Sequence, residues 1–200
     1  RFEFVAAITS RLDQLDARAD ALDAELEAGG LPAAELERRS AELVAFRDVL
    51  WAIRHDRLRT ARAVAELAGR SAAQSALAAY LAIQQALSSI DRLEVRGRDS
   101  AGVHVFVAGH DLDPSDPSVA DVLAARSSDP AFVSGGVRVA QGPDGPVLSF
   151  VYKAAAEIGE LGDNTRALRA AVAADELLRR AVAAPGARAS VLAHTRWASV

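Results

Sequence analysis

The chain has 200 residues, half of them hydrophobic and a quarter charged, which suits one domain or one domain with an appendage. Its 23 basic and 27 acidic residues leave a net charge of −4, which argues against a protein that coats nucleic-acid phosphates. The absence of cysteine excludes a disulfide scaffold, a Cys-based zinc site and a cysteine nucleophile within these residues. Alanine fills 45 positions, and 22 of the 23 basic residues are arginine, with Lys153 the only lysine. That bias reads as GC-rich coding, and it favours helix because alanine is the best helix former.

Taken in chain order, residues 1–58 are predicted as an antiparallel helical hairpin. Ile8, Leu12, Leu15, Ala19, Leu22 and Leu26 follow the 4,3,4,3,4 spacing of a coiled-coil seam. Gly29-Gly30 ends the first helix, and Pro32 suits the start of the second. A second stripe runs through Leu36, Leu43, Phe46, Leu50 and Ile53. The pair reads either as a partner-binding arm or as an insertion packed on its own domain. A short Arg- and Ala-rich helix follows over 59–69, then a long one over 71–92. Positions 71–90 carry no charge and match a membrane span in length, but four Ser and three Gln among them predict a buried core helix.

The pattern changes after residue 93. Residues 102–107 alternate like a strand, and 109–136 are rich in Asp, Pro, Ser and Gly with a short helix expected at 118–126. Val137–Ala140 and Val147–Lys153 are predicted to form a hairpin around a Gly- and Pro-rich turn. Asp163-Asn164-Thr165 is expected to cap one helix reaching Ala183, before a short strand at Ala189–Ala193. The fold class is therefore α+β, with a helical hairpin at 1–70, a main domain at 71–200 and an expanded loop at 108–146.

Two segments stand out chemically. Arg92-Leu-Glu-Val-Arg96-Gly97-Arg-Asp99-Ser-Ala-Gly102 joins the long helix to a strand. His194-Thr-Arg196-Trp197-Ala-Ser199 lies at the end of another. Each sets arginine among glycine, hydroxyl or aromatic residues where an element ends. Such a place suits a small carboxylate, because arginine offers a forked pair of donors. Each also has a plain reading: Arg96 and Asp99 as an ion pair bracing a turn, Arg196 as a surface arginine stacked on Trp197. His55, His104, His110 and His194 lack metal-ligand spacing, and Asp111, Asp113 and Asp116 lack the glycine and glutamate of a calcium loop.

Together the two segments resemble the glutaminase domain of the glutamine–fructose-6-phosphate aminotransferases (isomerizing), class II glutamine amidotransferases of the Ntn-hydrolase fold. That family carries Arg-Leu-Glu-Tyr-Arg-Gly-Tyr-Asp-Ser-Ala-Gly and, further on, His-Thr-Arg-Trp-Ala-Thr-His-Gly. The likeness covers residues 92–107 and 147–200. It implies a partial αββα glutaminase fold that hydrolyses L-glutamine and supplies ammonia for glucosamine 6-phosphate synthesis from fructose 6-phosphate. By the same resemblance, Arg196 would hold the glutamine α-carboxylate, Trp197 would pack beside it and Ser199 would contact substrate. Arg96 would support an N-terminal cysteine nucleophile, and Gly97 and Asp99 would shape the turn. No cofactor, metal, nucleic acid or membrane is implied; a cytoplasmic enzyme is, with room for a homodimer.

The departures are specific. The nucleophile and the oxyanion hole would lie outside these 200 residues, so the chain alone is expected to be catalytically inert. Its start without Met and its end inside a predicted strand point to a piece of a longer polypeptide. Val95 and Arg98 stand where the family has tyrosines, and Val200 where it has histidine. The alternatives are another class II amidotransferase, such as an amidophosphoribosyltransferase relative, or a non-catalytic regulatory or assembly domain with a coiled-coil arm.

Overall fold

The structure is a computed structural model that describes residues 2–69, 72–97, 99–128, 136–143, 145–155 and 160–197. The chain divides into two compact units, Arg1–Arg62 and Ala63–Val200.

The first unit is the expected hairpin. Helices α1 (Phe2–Glu27) and α2 (Ala33–Ala52) are joined through Gly29 and Gly30, both with positive φ, a conformation that costs glycine little. Their seam buries Leu12, Ala19, Leu43 and Leu50, while Leu22 and Leu36 at the turn end stay exposed. The antiparallel sense is visible in the cross-helix ion pairs. Arg54 donates to Asp13 (2.7 Å) and Asp16 (2.5 Å), and Arg47 donates to Asp20 (2.9 Å) and Asp23 (2.7 Å). The second helix leaves α geometry earlier than its sequence period suggests. Ile53–Leu58 is a π-helical segment in which the His55 ring stacks on Trp51, centroids 4.6 Å apart. Leu58, Leu12 and Leu50 form one small buried cluster. Helix α3 (Arg59–Ala68) continues from the π segment.

The second unit is α+β. Strands β1 (Ser100–Ala108), β2 (Val137–Gly142), β3 (Gly145–Ala154) and β4 (Arg188–Arg196) form one antiparallel sheet in the order β2-β3-β1-β4. Alternation along each strand sorts the side chains. Ala101, Val103, Val105 and Val107 of β1 share a face with Leu148, Phe150 and Tyr152 of β3 and with Val191 of β4. This face packs into one core with the α4 (Gln74–Leu93) residues Tyr80, Ile83, Leu87 and Ile90. Leu168 and Val172 of α6 (Asp163–Ala174) and Leu177, Leu178 and Val182 of α7 (Glu176–Ala183) complete it, with Val119 of α5 (Pro117–Ser127) at its margin. From Gln74 onward the uncharged stretch is thus spent on a core helix. Among the described residues no helix is long and apolar enough to cross a membrane.

The single helix expected over 163–183 is two. The chain breaks at Asp175 (φ −78°, ψ 102°), whose carboxylate caps α7 by accepting from the Leu178 N–H at 3.0 Å. The same carboxylate accepts from the Tyr152 hydroxyl (2.8 Å) and from Arg126 Nε (2.9 Å). These long-range partners outweigh local helix propensity, which is a weak bias of at most about 0.7 kcal/mol per residue. The cap expected from Asp163-Asn164-Thr165 is also displaced. Gly162 takes the N-cap position with φ 94°, and its N–H donates to the buried Glu94 carboxylate at 2.5 Å.

Candidate functional site

The two sequence motifs meet. Helix α4 ends in the 3-10 turn Glu94–Arg96, which leads into β1, and β1 pairs with β4 in a register that sets Ser100 opposite Arg196 and Ala101 opposite Thr195. Gly97 is buried with an extended backbone (φ −177°), so its need for glycine comes from proximity and not from strain. A β-carbon there would stand 2.9 Å from Thr195 Oγ1 and 3.2 Å from Trp197 Cδ1. Segments almost a hundred residues apart in sequence therefore make one junction at the end of the sheet.

Within that junction the predicted site residues differ in setting. Arg96 and Arg196 are solvent-exposed, Asp99 is half-buried, and Trp197 is 62% exposed with one ring edge against Gly97. Ser199, predicted to contact substrate, lies outside the described residues. Glu94 is the member whose role the pattern hid. It is 1% exposed and ties the turn to the N-terminus of α6 through Gly162, where a carboxylate also meets the favourable end of the helix dipole. Its second oxygen, Oε1, is buried with no hydrogen-bond partner among the described residues.

The sheet face away from the helices carries a second arrangement. By register, Lys153, Gly102 and His194 form one cross-strand row, and Val151, His104 and Leu192 form the next. Six of these residues line a cavity of about 450 Å³. A β-carbon on Gly102 would lie 2.5 Å from His194 Cε1, so the imidazole rests against the β1 backbone itself. His104 shares a 2.6 Å hydrogen bond with Ser149 Oγ and packs on Phe106 with centroids 4.0 Å apart. Burial pushes the His104 imidazole below its ordinary pKa. His110, 2% exposed, is also pushed down by burial, and its Nδ1 accepts from the Leu112 N–H.

The remaining candidates resolve into local structure. Asp113 accepts from the Ser115 hydroxyl and N–H, and Asp116 caps α5 by accepting from the Ser118 N–H. These bonds hold both carboxyls below the usual range. His55 sits beside Trp51 in the first unit. Among the described residues no three His, Cys, Asp or Glu side chains group to hold a metal ion. In the first unit Leu22, Leu26, Leu43 and Phe46 help line a cavity of about 530 Å³ between α1 and α2. No family model, no curated protein and no solved structure matches the chain.

Proposed function

We propose that the second unit is part of a cytoplasmic glutaminase domain of the Ntn-hydrolase class. It would release ammonia from L-glutamine for transfer to fructose 6-phosphate, as in the isomerizing glutamine–fructose-6-phosphate aminotransferases. The observation that carries this reading is the junction of Gly97 with Thr195 and Trp197, which joins the two motifs that resemble the family. Arg196 at the end of β4 offers a forked donor for the α-carboxylate, and Trp197 shields one side of it. Arg96, in the turn beside Gly97, supports the nucleophile, a cysteine outside this chain. Covalent catalysis of this type needs that thiol and a positioned base.

The test is glutamine hydrolysis by the native polypeptide that carries these residues. The expected result is ammonia release abolished by thiol alkylation, a sensitivity that has to come from outside this cysteine-free chain. Arg196→Ala should raise the glutamine KM by about 10- to 100-fold, the loss of a charge-assisted contact of about 1.5–3 kcal/mol. Unchanged glutamine kinetics in Arg196→Ala, or hydrolysis insensitive to alkylation, would overturn the reading. An assembly role is the second reading. It draws on Val44, Val49 and Trp51, each more than half exposed on α2.

A further inference from the structure

The helical hairpin of the first unit has two unlike flanks. At about 100° per residue, Asp13, Asp16, Asp20 and Asp23 lie to one side of the buried Leu12 and Ala19. Arg47 and Arg54 lie on the matching side of Leu43 and Leu50, and the cross-helix ion pairs run along that flank. Leu15 and Leu22 of α1 fall on the opposite flank with Phe46, Val49 and Ile53 of the second helix. Among the described residues no ion pair crosses that side. Leu22 is 49% and Val49 55% exposed there, and the 530 Å³ cavity beside Leu22 and Phe46 opens on it.

The pattern on the apolar flank is palindromic. Along α1 it runs Arg11, Leu15, Arg18, Leu22, Glu25, with Arg18 at its middle. Along the second helix it runs Phe46, Val49, Ile53, with Val49 at its middle. Arg54 reaches Asp13 and Asp16, and Arg47 reaches Asp20 and Asp23, so residues 18 and 19 stand level with residues 49 and 50. Two middles at one height are what a single two-fold axis across the helices requires. A copy turned about that axis sets Leu15 against Leu22, Phe46 against Ile53, Val49 against Val49 and Arg11 against Glu25. Arg11 and Glu25 are exposed and have no ion-pair partner among the described residues. Arg18, at the axis, is exposed and long enough to turn its charge out to solvent. The flank from residue 8 to residue 26 is about 27 Å long and two helices, about 20 Å, wide. Two copies facing each other therefore cover about 1,100 Å², above the roughly 1,000 Å² that a specific interface clears.

We propose that this flank binds a second copy of the chain, giving a two-fold four-helix bundle with the two turns at opposite ends. The occupant is a second copy because the flank is complementary to itself, in its apolar contacts and in the Arg11–Glu25 charges. The contact is independent of the glutamine reading and names the partner that an assembly role would use.

The experiment is sedimentation equilibrium of this chain from about 1 to 500 μM, together with cysteine cross-linking. The chain should associate reversibly to a dimer with a micromolar dissociation constant. Val49→Glu sets two carboxylates together at the axis and should weaken the dimer by at least about ten-fold. Arg11→Glu and Glu25→Arg should each weaken it by about five-fold, and the double variant should return to within about two-fold of the parent. All three positions are exposed, so unchanged far-UV dichroism is expected at the lowest concentration. The chain has no cysteine, so Val49→Cys should give a disulfide-linked dimer. Val44→Cys, at a position 59% exposed on the ion-paired flank, should not. A chain that stays monomeric to about 500 μM overturns the second copy as the occupant. Association unchanged in Val49→Glu, as contact through the second unit would give, overturns the flank, and so does Val44→Cys cross-linking as readily as Val49→Cys. A double charge variant no tighter than the single ones overturns the arrangement about the axis.

Discussion

The two units are held together by different physics. In the first, the buried cluster is Leu12, Leu50 and Leu58, and the helices are laced by exposed and half-exposed arginine–aspartate pairs. In the second, twenty-four buried residues from a sheet and five helices form one core. Exposed ion pairs contribute little and are screened by salt, whereas apolar burial contributes roughly 25 cal/mol per Å² and is not. The comparison teaches that length of regular structure is a poor guide to stability. The first unit is nearly all helix, yet the second should carry most of the cooperative unfolding.

The largest effect should come from a buried carboxylate of the second unit that serves three donors. Asp175 is 7% exposed and serves Tyr152, Arg126 and the α7 N-terminus at once. Asp175→Ala should cost about 3–5 kcal/mol in urea unfolding followed by near-UV signals, because it breaks a buried ion pair and removes the acceptor that the Tyr152 hydroxyl, Arg126 Nε and the Leu178 N–H share. Leu87→Ala, at a site with no exposure, should cost about 2–5 kcal/mol in the same assay through lost burial and a cavity. Tyr152→Phe sharpens the picture by removing one hydrogen bond and keeping the ring, for about 1 kcal/mol.

Acid separates the units next. His104 and His110 of the second unit are held below the ordinary value of 6.5, so the unfolded chain takes up their protons first. Stability gained from keeping them neutral is present above about pH 6.5 and is lost as pH falls toward their folded pKa values. A thermal melt across pH 7.5 to 5 should show the second unit weakening, and His104→Gln with His110→Gln should flatten that slope. In the first unit, Glu35 is lowered to about 2 by its bonds to Arg38 and Arg39 and does not titrate in this window. The smallest effect is ionic strength: 1 M salt should lower helical content slightly in the first unit and leave the second unmoved, as read by far- and near-UV dichroism.

What the sequence made legible follows from how local each signal is. The seam of α1 and α2, the glycines that end helices, and the alternation of β1 and β3 are written within windows of ten residues, and they reappear as structure. The break at Asp175 was not legible, because its cause is Tyr152 and Arg126, 23 and 49 residues away. Glu94 was hidden for the same reason: its partner is the Gly162 N–H, 68 residues on. At the candidate site, the motif residues could be named from spacing and resemblance. Their meeting through Gly97 could not, since it depends on strand register. The row of Lys153, Gly102 and His194 is likewise a product of pairing, and its only linear trace is a solitary lysine.

That lysine has a practical consequence. Lys153 lies in β3, paired to Gly102 in the interior of the sheet order, and every other basic residue in these 200 is arginine. A lysine-specific protease therefore has one bond to cut, and that bond is locked in the sheet. Cleavage waits on opening of β3, so its rate under fast reclosing reads the opening equilibrium directly. The products are two fragments, with α6, α7 and β4 all on the shorter one. The loss of the uncut band on a gel then reports, at this one site, whether a ligand or a substitution has closed the sheet or loosened it.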